Sequence, residues 1–527
     1  MFHLIEFSCR CIRPLVRSKV SVGRLDEGGS RGQCAGLFSL LDDIACTIVS
    51  SFGSVIRMAA IMFDLSSGAT KPEVDLVTGG VWVPLATALM GDASIKMAIF
   101  SPGIANIIQA NYMAVDAFLS ELAGRLLSSS ISNSEEDEIT SFEVTSSIAK
   151  CAQLRIMQHP TMLELNKKWN LPIYYQLRFG EACKRFDKAI AKVEEAGWLS
   201  PVFTGTQNVE QDIRKLGFEL PLFIELYDIL LSFWRVGVII RPMAHRFLRG
   251  VIQMVGRSVS FVRSGLEQKN KGMPGAKKEN GNGGGPSHNY LTWHERTDDV
   301  AAVAWDLTVL ESCLTSDYTD LAAGIIAPTT DNENNSNSED ERNELRTIVS
   351  EVLGEISQDI SPLIRTAWTG ITEILTKQCS APLAAVKGVA ATYRMTNRPP
   401  PKQSSPFVST ILRPLKEFDA EFPNRAPPQI GGEWKIEVVR VVSERYSDAV
   451  EKLIVTVKQT EEALRKRKAR KANAGGMTDG EKVMLQLHLD AHEFKMRADE
   501  VGIDAGAIEG VQKLKTLTKV TENPSTS

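Results

Sequence analysis

Apolar residues recur along this chain in steps of three and four. The clearest run is Asn170 to Trp198, NLPIYYQLRFGEACKRFDKAIAKVEEAGW, where Tyr175, Phe179, Ala182, Phe186, Ala189, Val193 and Ala196 alternate steps of four and three. At 3.6 residues per turn, that spacing places all seven on one face of an α-helix. The other face carries Glu181, Arg185, Lys188, Lys192 and Glu195, with Glu181 one turn ahead of Arg185 in the favourable order for a pair. Asn170 suits the N-cap, Pro172 the first turn, and Gly197 the residue that closes the helix. Similar stripes run through Cys34, Leu37, Leu41, Ile44 and Ile48, and through Tyr112, Val115, Phe118, Leu119, Leu122 and Leu126. Two more run through Val439, Val442, Tyr446, Val450, Leu453, Val457 and Leu464, and through Val483, Met484, Leu487, Ala491, Phe494, Ala498 and Val501. The last opens on Thr478 with Glu481 three residues later, a capping box. Alternating runs are short, Val81-Trp82-Val83 being typical. The pattern predicts an all-α protein.

Polar interruptions divide the stripes. An N-terminal helical bundle is expected over 1–127, broken at Ser101-Pro102-Gly103, and an acidic loop over 128–140. A central bundle follows over 141–264, with a break at Arg241-Pro242, then a Gly-rich flexible insertion over 265–290. C-terminal bundles occupy 291–515, interrupted by a second acidic loop at 329–342 and a Pro-rich connection at 398–406, before a disordered tail at 516–527. RPPPKQSSP from Arg398 reads as a stiff connection between helices in preference to a polyproline ligand.

Composition narrows the function classes. With 527 residues and a net charge of −4, the chain as a whole is not built to grip nucleic acid. Its eight cysteines, at 9, 11, 34, 46, 151, 183, 313 and 379, form no CxxC pair and read as small core residues. Leu220 to Ile240 is the most apolar membrane-span candidate. It contains Glu225, Asp228 and Arg235, each costing about 2.5–3.5 kcal/mol at a bilayer centre, so a buried helix of a soluble chain is expected.

Candidate chemistry is sparse. Gly28, Gly29, Gly32 and Gly36 form neither GxGxxG nor a P-loop, and read as a turn entering a helix. His245 reads as a packed or capping residue. His488 and His492 lie one turn apart, but HExxH is absent and Asp490 and Glu493 are not placed as further ligands. The basic run Arg465 to Lys471 reads as a solvated helix end, where positive charge suits the dipole. No catalytic, cofactor-binding or metal-binding residue is assigned, and no enzyme is expected.

Several separate stretches, in order, resemble one family, the second subunit of the conserved oligomeric Golgi complex. They are IRPLVRSK at Ile12, GRLDEGGSRGQCAGLFSLLDDI at Gly23, IFSPGIANIIQANY at Ile99 and LPIYYQLRFGEACKRF at Leu171. IIRPMAHRFLR at Ile239, YRMTNRPPP at Tyr393, VSTILRPLK at Val408 and MLQLHLDAHEF at Met484 complete the set. The resemblance implies an elongated rod of stacked helical bundles, peripheral on the cytosolic face of the Golgi membrane. It implies assembly with the first, third and fourth subunits, contacts with SNAREs, Rab GTPases and golgins, and a role in retrograde vesicle tethering that keeps glycosylation enzymes in place. It also implies a long N-terminal coiled coil ahead of the first matching piece. Met1 falls only a few residues before that piece, so the sequence reads as N-terminally truncated. The alternative class is a helical scaffold of another trafficking tether, exocyst-like.

Overall fold

A computed structural model describes residues 35–65, 75–91, 96, 99–101, 103–127, 138–267, 296–327, 336–394, 398–423, 425–427, 430–468 and 477–519. Among the described residues there is no strand, and the all-α expectation holds. The acidic stretch 128–137, the Gly-rich stretch 268–295, the tail from residue 520 and the glycine turn ahead of Cys34 lie outside the described residues.

The chain groups into two compact units, one running to Arg185 and including Ile229–Val251, the other formed by Phe186–Asp228 and the residues from Ile252 onward. In the first unit, α1 (Ala35–Leu65) is followed by a π-helical turn (Leu76–Trp82), α2 (Val83–Gly91), α3 (Ala105–Leu127), α4 (Glu138–Gln158) and α5 (Pro160–Asn166). The stripe Leu37, Leu41, Ile44, Ile48 is buried against α3, whose Val115, Phe118, Leu119, Leu122 and Leu126 are likewise buried. Val81-Trp82-Val83 belongs to helical turns, and Trp82 is a core residue. Arg155 ties three segments together, reaching Asp64 at 2.6 Å and Asp75 at 2.7 Å while its guanidinium lies over Phe63. Among the described residues one helix is long and apolar enough to cross a membrane, and it is not the stretch the sequence pointed to. It is Leu41–Leu65, within α1, and its Leu41, Ile44, Ile48, Ile56 and Ala60 side chains sit in this unit's core.

The run Asn170 to Trp198 forms α6 (Leu171–Ala196). Ala182, Phe186, Ala189 and Val193 are buried as its stripe requires, and Gly197 closes the helix in the left-handed region at φ +91. Its first turns differ from the pattern. Tyr174 is the fully buried aromatic, while Tyr175 and Phe179 are half-buried and Ala196 is exposed. Glu181 pairs with Arg178, three residues before it, at 3.3 Å.

The second unit continues with α7 (Gln207–Lys215), α8 (Pro221–Ser232), a 3-10 turn at Arg241–Met243 in the first unit, and α9 (Ala244–Glu267). Helix α8 is almost wholly buried but stops at Ser232. The expected helix through Ile240 instead becomes a turn, with Gly237 at φ +92. There follow α10 (Thr297–Thr315), α11 (Asp317–Ile326), α12 (Ser336–Ser380), a 3-10 stretch (Ala381–Gly388), α13 (Val389–Tyr393), α14 (Val408–Ile411), α15 (Arg413–Glu421), α16 (Glu433–Lys468), α17 (Asp479–Glu500) and α18 (Glu509–Leu517). Helix α12 begins at Ser336, inside the loop expected over 329–342, and runs unbroken past Pro362. Its long amphipathic continuation, packed on α10 and α16, outweighs the backbone bond that proline removes. The capping box at Thr478 and Glu481 is formed in both directions. Gly510 of α18 lies directly on α16, where a Cβ would come within 2.7 Å of the Glu444 backbone nitrogen.

Candidate functional site

The sequence-flagged groups end up in separate places. His245 is exposed on the first turn of α9. On α17, His488 is half-buried and His492 exposed, while Asp490 between them points into the core. Its carboxylate accepts from the Ser405 hydroxyl at 2.8 Å and the Ser405 amide, and Gln486 donates to it at 2.9 Å. Gln486 also donates to the Gln403 carbonyl and accepts from the Tyr393 hydroxyl. Gln486 and Asp490 of α17 therefore grip the Pro-rich connection at Gln403 and Ser405. Glu493 pairs with Arg497 at 2.8 Å. Among the described residues no group of three or more His, Cys, Asp or Glu is placed to hold a metal ion. The described cysteines form no disulfide, and burial pushes the Cys379 thiol up to about 11. Of the basic run, the helix extends to Lys468, and the side chains lie outside the described residues.

The structure gives a shared kind of task to acids scattered along the sequence. Glu225 of α8 is fully buried and accepts from the Thr204 amide at 2.9 Å and its hydroxyl at 2.8 Å. Asp306 of α10, equally buried, accepts from the amides of Glu219 at 3.0 Å and Leu220 at 2.8 Å, the two residues that lead into α8. Next to it the Trp305 indole donates to the Gly217 carbonyl at 2.8 Å, where φ is +109. Arg425 covers the same turn, pairing with Glu219 at 2.8 Å and lying over the rings of Phe422 and Trp305. Burial pushes the Asp306 carboxyl up to about 8, against the pull of the two amides and Arg425. Glu225, Asp306 and Asp490 each hold a turn to a helix, a task that occupies their oxygens. No sequence signal marks them, because Asp306 and Leu220 are 86 residues apart.

A cavity of about 330 Å³ lies in the second unit between α15 and the end of α17, with Leu412 and Val501 among its lining. Its charged lining is already paired: Arg413 with Glu417 at 2.7 Å, Lys416 with Glu500 at 3.0 Å, and Arg497 with Glu500 at 3.2 Å. This is a groove with a neutralised rim rather than a site with a poised acid, base or nucleophile.

Comparison with known proteins supplies what geometry does not. The family described as COG complex component, COG2, C-terminal, matches residues 167–491, more than half of the chain. The chain belongs to this family. The human conserved oligomeric Golgi complex subunit 2 is 24% identical over 488 residues, covering 87% of this chain and 59% of the human one. The Arabidopsis thaliana subunit 2 is 24% identical over 87% of this chain and 53% of its own length, and the Dictyostelium discoideum one 22% identical over 80% and 48%. The chain thus spans about half the length of the curated relatives it matches. No solved structure matches. The family match takes in α6, the α8–α9 turn, Asp306 and Asp490, so the turn-holding acids lie within the part that defines the family. Its relatives carry the names of complex subunits, not of enzymes.

Proposed function

We propose that this chain is a non-enzymatic subunit of the conserved oligomeric Golgi tethering complex. In that role it supports retrograde intra-Golgi vesicle transport, Golgi organisation and the retention of glycosylation enzymes. It assembles with the first, third and fourth subunits, meets SNAREs, Rab GTPases and golgins, and works peripherally on the cytosolic face of the Golgi membrane. The observation that carries this reading is the family match over 167–491. The disposition of charge supports it. Three buried acids serve turns, and the cavity rim is internally paired, as suits a scaffold that must hold its helices in place. The test is affinity capture of the tagged chain from cells that express the other subunits. The first, third and fourth subunits are expected in the eluate in stoichiometric amounts. Capture of none of them, by a chain shown to be folded, refutes the assignment.

A further inference from the structure

One part of the first unit is strongly cationic although the chain is acidic overall. Residues 167–180 hold Lys167, Lys168 and Arg178, residues 229–251 hold Arg235, Arg241, Arg246 and Arg249, and neither stretch contains an Asp or Glu. Contacts put the two stretches side by side. The Tyr174 hydroxyl donates to the Val238 carbonyl, Arg178 donates to the Gly237 carbonyl at 3.3 Å, and Phe247 packs edge-on to both Tyr174 and Tyr175. A Cβ on Gly250 would touch Tyr175 and Phe179, so α9 lies closely along α6 here. Arg241, His245, Arg246 and Arg249 are exposed, and Arg246 and Arg249 form no ion pair among the described residues. The acids that face it are Glu181, held by Arg178, Asp116, which feels Arg241 from α3, and the exposed Glu164, which precedes Lys167 and Lys168 in the chain.

The same region presents aliphatic side chains to water. Val236 is 100% exposed at the tip of the α8–α9 turn, and Ile173 and Leu177, one turn apart on α6, are 46% and 37% exposed. The tip is held stiffly. The amides of Val238 and Ile239 both bond back to the Arg235 carbonyl, at 2.9 and 3.1 Å, in addition to the Tyr174 and Arg178 bonds. A fully exposed aliphatic side chain in a stretch of exposed arginines suits an interface where cations meet headgroups and the aliphatic side chain dips below them. We infer that the surface formed by Val236, Arg241, Arg246 and Arg249, with Lys167 and Lys168, docks on an anionic phospholipid bilayer. The inference stands on this surface alone and holds or fails independently of the assembly assigned above.

The test is flotation of the full chain with phosphatidylcholine vesicles, with and without about 30 mol% phosphatidylserine, at about 50 mM and about 500 mM salt. Binding is expected with the anionic vesicles at low salt and not with the neutral ones. The double variant R246Q/R249Q should lower the partition coefficient about tenfold or more, and V236S about threefold. The matched double variant K452Q/K458Q, two exposed lysines on α16, should stay within about twofold of the parent. All are surface changes, so unchanged melting confirms that each variant is folded. Equal binding to neutral vesicles, equal loss in both double variants, or no flotation at all overturns the inference. So does capture of soluble polyglutamate as tight as that of vesicles and indifferent to V236S, an outcome that assigns the face to an acidic protein segment instead.

Discussion

Gly510 offers a stringent test of the packing. It stands in the first turn of α18, whose Val511 and Leu514 are buried in the second unit, and it meets α16 without a side chain between them. In Gly510→Ala the new Cβ would lie 2.7 Å from the Glu444 backbone nitrogen and 2.9 Å from the Ser443 carbonyl carbon. An ordinary carbon contact is about 3.5 Å or more, and a helix backbone cannot rotate away as a side-chain end does. The helices must therefore part by somewhat under 1 Å, loosening Val511 and Leu514. Overpacking of this kind costs about 1–3 kcal/mol. Against it stands the gain from replacing glycine in a helix, about 1 kcal/mol at most and less in a first turn. The expected net loss is about 1 kcal/mol, roughly a fivefold rise in local opening. Hydrogen exchange on a peptide covering 505–518 reads it directly, because local opening is reported even where the whole chain does not unfold in one step. Gly370→Ala, where nothing lies within 4 Å of the new Cβ, is the internal control and should be neutral or slightly protected. Protection in Gly510→Ala equal to or above the parent would refute the close approach of α16 and α18.

Three further outcomes are expected. The Tyr446 hydroxyl is fully buried with no hydrogen-bond partner among the described residues, so Tyr446→Phe should raise stability by about 1 kcal/mol, seen as slower exchange in α16; a lower melting temperature argues against the burial. The Asp306 carboxyl is raised to about 8 in the fold from an ordinary value near 3.8, so the folded state holds the proton more tightly. Its contribution is complete below pH 3.8 and declines as pH rises through 8. Parent stability relative to Asp306→Asn should fall between pH 6 and pH 9 in paired melting curves, and a rise reverses the sign and the reasoning. Arg155→Ala leaves Asp64 and Asp75 facing one another, each mostly buried, and should cost about 2–3 kcal/mol by denaturant titration. Arg155→Lys should recover only part of this, since one ammonium cannot reproduce a guanidinium fork, and full recovery contradicts the bridging geometry.

Much of the helical layout was legible because periodicity is a local property. Helices α1, α3, α16 and α17 bury most of the described residues of the stripes their spacing announces, and the capping box at Thr478 needs only four consecutive residues. The Arg241-Pro242 break was likewise readable, as was the one at Gly103, where φ is +75; Pro102 lies outside the described residues. The misreadings share one cause. Leu220 to Ile240 looks like one helix because it is apolar throughout, yet it turns at Ser232 because Tyr174 and Arg178 capture the carbonyls of Val238 and Gly237. Tyr174 displaces Tyr175 from the core for the same reason: its hydroxyl has found a carbonyl 64 residues away.

What the sequence determined by itself was the class of structure and the family: helical spacing, caps and proline breaks act within a turn or two, and ordered short matches survive where overall identity is only 24%. What tertiary structure alone decided was the use of each charge. Asp306, Asp490 and Glu225 carry no mark of their task in the sequence, and become turn anchors only when a backbone outside their own helix brings its amides to them. Arg246 and Arg249, which look equally ordinary, stay exposed because no acid is brought to meet them. A carboxylate or guanidinium is placed by the partners that offset its desolvation, and those partners are set by the fold rather than by its neighbours in the chain.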